Sequence, residues 1–320
     1  MNSEKTIEIS VLMPVYNGEK FLVEAIDSIL NQTFRDFEFI IVNDGSTDRT
    51  VEIIESYNDQ RIKLINRENG GVSAALNTGL ENAKGKYIVR MDADDISHLD
   101  RIEKQYDFIK NNPEYIIVGT DVNYITEEND FVFRYFSPAY SNDDISAIAS
   151  TQCPFIHSSV IFVKNAILKA GCYEETAYAF EDHFLWANLA KKQFGLMHVL
   201  KDALVDVRFN PGSVTVDFND YDPEYLKTKF SVLSAGVIDE DAAKVLKDSF
   251  KKLDKELREL SYHRLLAKKY LWSNYNLKKA RENLKKAHQI APFQKKTMIL
   301  YLVSFLPKRV ISFIYNLKKK

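Results

Sequence analysis

The sequence predicts an α/β protein with a doubly wound, mostly parallel sheet and a C-terminal helical extension. Two observations carry this. Through the first hundred residues, apolar strand-like runs alternate with apolar residues at helical spacing, the rhythm of βαβ units. From about Pro223 onward the chain is rich in Lys, Leu and Ala with helical periodicity, and strand signals fade. The expected organisation is an α/β domain over 1–218, in two halves of about 1–98 and 99–218, followed by a helical region over 219–320.

Ile7–Val15 reads as a first buried strand and Glu38–Asn43 as a second. Between them Phe21, Leu22, Ala25, Ile26, Ile29 and Leu30 form one face of a helix packed on a sheet. A helix beginning near Thr47 leads to a third strand, Ile62–Asn66, and a helix through Leu76 and Leu80 leads to a fourth, Lys86–Met91. Leu99–Lys110 is a helix with Leu99, Ile102, Tyr106 and Ile109 on its inner face. Tyr115–Gly119 is a strand, Val122–Ile125 pairs with Phe131–Phe136 as a hairpin across Glu127–Asp130, His157–Val163 is an apolar strand and Glu181–Lys192 a helix.

Composition supplies ample core, with 45% hydrophobic residues, and argues against wholesale disorder. The net charge of -2 hides an asymmetry: residues 251–320 hold 19 Lys+Arg against 4 Asp+Glu, and residues 1–250 hold 24 against 41. A basic tail on an acidic body suits an anionic membrane surface or nucleic acid, but no nucleic-acid-binding motif is present. Cys153 and Cys172 lack metal-site spacing. The polar N-terminal stretch, Met1-Asn2-Ser3-Glu4-Lys5, leads straight into a strand, so a cytoplasmic chain is expected.

The chemistry-bearing residues stand at the predicted strand ends. Only Gly18 follows the first strand in Pro14-Val15-Tyr16-Asn17-Gly18, which argues against a GxGxxG dinucleotide site and a Walker P-loop; Tyr16 can instead stack on a base or simply close a strand. After the second strand, Asp44 can accept from a base N–H, while Asp44-Gly45 also reads as a turn with Ser46 or Thr47 as N-cap. Gly70-Gly71 lets a ligand approach the backbone after the third. After the fourth, Asp92-Ala93-Asp94-Asp95 concentrates three carboxylates, a cluster that suits a hard divalent cation such as Mg²⁺ or Mn²⁺ and also reads as a solvated turn or cap.

In consistent order and spacing, Pro14-Val15-Tyr16-Asn17, Asn43-Asp44-Gly45-Ser46-Thr47-Asp48, Asn69-Gly70-Gly71-Val72-Ser73-Ala74-Ala75-Leu76-Asn77 and Met91-Asp92-Ala93-Asp94-Asp95 are followed by Pro154-Phe155-Ile156-His157, Gly171-Cys172-Tyr173 and Glu181-Asp182-His183-Phe184-Leu185-Trp186. Together they resemble the family 2 inverting glycosyltransferases of the GT-A (Rossmann-like) fold, of the bacterial surface-polysaccharide type. The resemblance implies a nucleotide-sugar donor, with a UDP-linked hexose expected, held by the half over 1–98. Pro14, Tyr16, Asn17, Asp44, Gly70, Asn77, Asp92 and Asp94 would bind its nucleotide, and Asp94 and Asp95 a Mn²⁺ or Mg²⁺ ion. Asp182 would be the general base, with His157, Glu181 and Trp186 on the acceptor side, in the half over 99–218. The sequence departs from the common pattern at Leu76, Phe184 and Asn210, which keeps a non-catalytic sugar-nucleotide-binding role in view. The expected acceptor is a hydroxyl of a glycan or of a polyprenyl-diphosphate-linked glycan; transfer to a polyprenyl phosphate is the alternative.

Met298–Leu306 and Val310–Leu317 are apolar runs separated by Pro307-Lys308-Arg309, each too short to span a bilayer. Residues 291–320 hold seven Lys+Arg and no acid, which predicts an interfacial segment at the inner face of the cell membrane. The competing reading is helices docked on the catalytic domain or in a homodimer.

Overall fold

A computed structural model describes residues 7–209, 222–250 and 255–318. Along the chain run β1 (Ile9–Val15), α1 (Leu22–Leu30), β2 (Phe37–Asn43), α2 (Thr50–Glu55), β3 (Ile62–Asn66), α3 (Val72–Asn82) and β4 (Tyr87–Arg90). Then come β5 (Ile96–Ser97), α4 (Arg101–Asn111), β6 (Tyr115–Ile125), β7 (Phe131–Tyr135), α5 (Asn142–Ile148), β8 (Ile161–Val163), α6 (Lys164–Ala170), α7 (Glu181–Lys192) and β9 (Leu196–Arg208). The rest is helical: α8 (Pro223–Ala235), α9 (Glu240–Phe250), α10 (Lys255–Lys269), a π turn at Tyr270–Asn274, α11 (Leu277–Ile290), α12 (Lys295–Val303) and α13 (Lys308–Lys318). The expected boundary at 218 and Asn210 lie outside the described residues.

The strands form one sheet in the order β3-β2-β1-β4-β8-β6-β9-β5, with β7 paired to β6 as the expected hairpin. β3, β2, β1 and β4 are mutually parallel. Val15 lies opposite Asn43, Asn43 opposite Asn66, and Leu12 opposite Arg90, so all four strands deliver their following loops to one edge. The winding reverses between β1 and β4, the switch point at which open α/β sheets bind ligands. β8 is antiparallel to both β4 and β6, making the sheet mixed beyond its parallel half.

Of the parallel strands, β1, β2 and β4 are largely apolar and buried throughout because both faces are covered, whereas the edge strand β3 is only partly buried. Val11, Met13, Phe39, Ile41 and Val89 pack with Ile26 and Ile29 of α1 and Ile102 and Ile109 of α4. Their alternates Leu12, Ile40, Val42 and Ile88 pack with Leu76 and Leu80 of α3, Ile167 of α6 and Leu189 of α7.

Four expectations change. The helix after β2 begins at Thr50 rather than near Thr47, and neither Ser46 nor Thr47 caps it; Asp48 instead accepts from the Thr50 N–H at 3.0 Å. Leu99 is 60% exposed, because α4 starts at Arg101, and it is Arg101 that is buried. Tyr115–Ile125 is one strand. His157–Ser159 is a short 3₁₀ turn ahead of β8, in which Ser159 Oγ donates back to the Ile156 carbonyl at 2.7 Å and His157 turns to the Tyr173 hydroxyl.

By contact density the chain divides into two compact units. One lies within Met1–Val122, Tyr135–Val207 and Lys229–Ala243, and the other within Asn123–Arg134, Arg208–Thr228 and Lys244–Lys320. The second has its own core, including Leu260, Leu266, Leu271 and Leu284. In it, Arg208 Nη1 donates to the carbonyls of Thr126 (3.2 Å) and Glu127 (3.0 Å).

Between α3 and β4 the chain passes so close to β1 that a Cβ at Gly85 would stand 2.5 Å from the Ser10 amide nitrogen. Backbone cannot yield as a side chain does. Gly85→Ala should therefore lower stability by about 1–3 kcal/mol, read as a lower urea midpoint; an unchanged midpoint would contradict this packing.

Candidate active site

The loops after β1, β2 and β3 are tied to one another. Asn17, in the left-handed region at φ 50°, donates its backbone N–H to Ser46 Oγ (2.9 Å) and accepts from the Thr47 N–H at Oδ1 (2.8 Å). The Glu19 N–H donates to Asp48 Oδ2 at 3.0 Å. Asp44 is buried and accepts from Arg67 Nη1 (2.6 Å) and from the N–H groups of Gly70 (3.1 Å) and Gly71 (2.8 Å). Gly45 has φ +77°, and a Cβ there would meet the Asn69 nitrogen at 2.8 Å, so only glycine suits the position. Pro14 is buried in β1, whereas Tyr16 stands exposed beside these loops.

At the end of β4, Asp92, Asp94 and Asp95 each bring one carboxylate oxygen within 4.8 Å of the others. Asp95 is buried and the other two are half-buried. Beneath them are two buried arginines. Arg90 forms an ion pair with Asp92. Arg101 donates to the Arg90 carbonyl (2.8 Å), to Gln105 Oε1 (3.0 Å) and to Met91 Sδ (3.4 Å). Burial pulls the Arg101 guanidinium down to about 9, a fall that Asp95 and Asp92 oppose and Arg90 adds to. The clustered carboxylates are thus partly neutralised from inside.

The third group centres on Tyr173. Its hydroxyl meets His157 Nε2 at 2.9 Å, its N–H donates to Asn77 Oδ1 at 2.9 Å, and its carbonyl accepts from Asn77 Nδ2 at 2.9 Å. The Asn77 amide is therefore engaged by backbone. Burial, and then the charge of Arg90, hold the His157 pKa well below its ordinary value, so this imidazole is neutral. Trp186 is fully buried, edge-on to Phe155 and His157 at 5.8 and 5.9 Å; it presents no surface to an acceptor in this conformation.

Glu181 and Asp182 open α7. Burial and the adjacent Asp182 push Glu181 up to about 7. Asp182 Oδ1 accepts from the His183 N–H at 2.6 Å, and Cys153 Sγ lies 3.7 Å from Oδ2. Burial, then Asp182, drive the Cys153 thiol pKa well up. Lys229 of α8 sits 5.1 Å over the Phe180 ring; burial lowers its pKa, opposed by Asp182, Cys153 and Glu181.

These groups share one electrostatic neighbourhood. The Tyr173 hydroxyl is influenced by Arg90, Asp182, Glu181 and Asp92, and Glu181 itself by Arg90 and Asp92. Arg67, Arg90, Arg101, Cys153, Tyr173 and Lys229 were not singled out as site residues from sequence. Arg90 left a signal, as a cation inside an apolar strand, and so did Tyr173, in a quoted motif; Cys153 and Lys229 left none. Two departures from the family pattern are core residues: Leu76 is wholly buried and Phe184 packs on Phe180 at 6.3 Å.

A parallel α/β half-sheet with an acidic cluster at its carboxyl edge defines a GT-A type fold, and solved structures agree. S. aureus TarS 1–349 in complex with UDP-GlcNAc superposes with TM-score 0.58 at 17% identity, over 97% of this chain and 92% of that one. A Pyrobaculum calidifontis mannosyltransferase in complex with GDP-Man and Mn²⁺ gives TM-score 0.54 at 17% identity, over 97% and 84%. The family model for glycosyl transferase family 2 matches residues 10–171. An uncharacterised Haemophilus influenzae glycosyltransferase is 32% identical over 214 residues, 65% of this chain and 79% of that protein. The chain belongs to glycosyl transferase family 2. It covers only 30% of the length of the Rickettsia glycosyltransferases it also matches.

Glu181 makes a pH prediction. Its carboxyl titrates near 4.5 in the unfolded chain and near 7 when folded. The folded state therefore holds the extra proton between those values, and stability falls as pH rises through that window. Glu181→Gln removes the decline, so the variant should gain stability over wild type between pH 5 and pH 8 in urea denaturation; a pH-independent difference would contradict the shift.

Proposed function

We propose that this protein is an inverting glycosyltransferase that moves a sugar, a hexose from UDP, to a hydroxyl of a glycan or lipid-linked glycan in surface-polysaccharide assembly. The observation carrying this reading is the acidic cluster after β4 in electrostatic contact with the Glu181–Asp182 pair, at the switch point of the sheet. Family membership and nucleotide-bound fold neighbours support it.

The three carboxylates at the end of β4 fit a divalent cation: they offer oxygen donors only, close enough to share one ion, the set that Mn²⁺ or Mg²⁺ prefers. Asp94 and Asp95 are the residues that would hold it, with Asp92 beside them. When bound, such an ion stabilises the charge that gathers on a departing nucleoside diphosphate.

The chain's own groups do the rest. Tyr16 stacks on the base at the mouth of the linked loops, with Pro14, Asn17, Asp44 and Gly70 shaping its pocket. Asp92 and Asp94 face the ribose, and Asn77 braces Tyr173 behind it. Asp182 accepts the proton of the attacking hydroxyl at a carboxylate oxygen. Glu181, protonated up to about pH 7, donates a hydrogen bond on the acceptor side, where neutral His157 lies, backed from the core by the buried Trp186. The catalytic domain is assigned to 1–218, the donor half ending near 98. The basic C-terminal tail of the helical region over 219–320 makes peripheral contact with the inner face of the cell membrane.

With purified protein and a panel of nucleotide sugars, Mn²⁺-dependent release of nucleoside diphosphate is expected. Asp182→Asn should lower kcat by about 10²–10⁴-fold with donor KM little changed, whereas Asp94→Asn and Asp95→Asn should weaken activation by Mn²⁺. Full turnover by Asp182→Asn would overturn the assignment of the base.

A further inference from the structure

The C-terminal helices present an apolar face to solvent. In α12, Thr297 and Leu300 point inward and are buried, yet Met298, Ile299 and Leu302, with Phe305 just beyond, are between 46% and 68% exposed. Met298, Leu302 and Phe305 follow each other at four and three residues, one stripe along the helix. In α13, Ile311 is buried while Phe313 is 63% exposed. A helix apolar on both sides is ordinarily covered on both.

Two further observations say what covers it. Lys295 and Lys296 open α12, Lys308 and Arg309 open α13, and residues 291–320 contain no acid. A cleft of about 430 Å³, mostly apolar, lies between α11 and α12; Met298 and Leu302 belong both to it and to the exposed face, and Lys285 and His288 line it from α11. Among the described residues no helix is long and apolar enough to cross a membrane.

From this geometry we infer that α12 and α13 lie flat on an anionic bilayer, with Met298, Ile299, Leu302, Phe305 and Phe313 in the acyl boundary and the α11–α12 cleft receiving a lipid chain. The inference rests on the membrane reading above and names the surface that performs it. Charge selects this occupant over a second copy of the chain. A self-complementary interface would bring Lys295, Lys296, Lys308 and Arg309 near their own equivalents, where like charges repel, whereas anionic headgroups attract them. The apolar side chains then enter where aliphatic groups are stabilised.

The test uses the full chain with vesicles of phosphatidylcholine alone or mixed with phosphatidylglycerol. Wild type should sediment with the mixed vesicles, and added salt should release it. Leu302→Asp with Phe305→Asp should reduce the bound fraction at least about tenfold, with thermal unfolding and nucleotide-sugar turnover unchanged, since both side chains are exposed. In a second variant, Leu302→Trp, fluorescence should shift blue and be quenched by brominated lipid. Retained sedimentation of the Asp variant, or a Trp that stays in water, overturns the surface while leaving membrane contact standing. Failure of wild type to sediment overturns both, and concentration-dependent self-association abolished by the Asp variant would assign the face to a second copy instead.

Discussion

A guanidinium sealed beneath a carboxylate cluster is the constraint around which the first unit is arranged. Arg90 closes β4 at a position opposite Leu12 of β1, too deep to reach water. A buried cation is tolerated only when paired, and Asp92 supplies the partner from the next loop. Its charge also bears on His157, Tyr173 and Glu181. One side chain therefore influences the loop after β4, the 3₁₀ turn, Tyr173 and the start of α7. Arg101 continues the arrangement by donating to the Arg90 carbonyl. The resulting cluster is three carboxylates over two internal cations.

The same economy governs the loops. Asp44 holds Arg67 and the amides of Gly70 and Gly71, while Asn17 holds the second loop through Ser46 and Thr47. Loops already fixed in place lose little entropy when a ligand arrives. Residues expected to touch a nucleotide thus also order the edge against which it would sit, and hydrogen bonds within the chain contribute to both tasks. Tyr173 plays the matching role across the sheet, joining α3 through Asn77 to His157.

Much of this was legible beforehand. The parallel half of the sheet followed from apolar runs such as Glu38–Asn43, in which Phe39 and Ile41 pack into one layer and Ile40 and Val42 into the other. The hairpin of β6 and β7 followed from paired apolar segments about a polar turn. His157–Ser159 was misread as strand because periodicity cannot show that His157 will meet the Tyr173 hydroxyl from another segment and Ser159 the carbonyl behind it. Arg101 was not singled out because nothing in a helical repeat marks a cation that will meet a carbonyl from a neighbouring strand. Leu99 was misplaced by a two-residue error in where α4 begins.

Local sequence determined the rhythm of elements, the polar strand-end loops and the separation of an acidic body from a basic tail, because these depend on residues near one another in the chain. Only tertiary structure decided which charges meet. Cys153, Asp182 and Lys229 come from three distant segments, and Arg90 acts on His157 and Glu181 from far along the chain. Electrostatic effects depend on distance and burial, and neither is written in the order of residues.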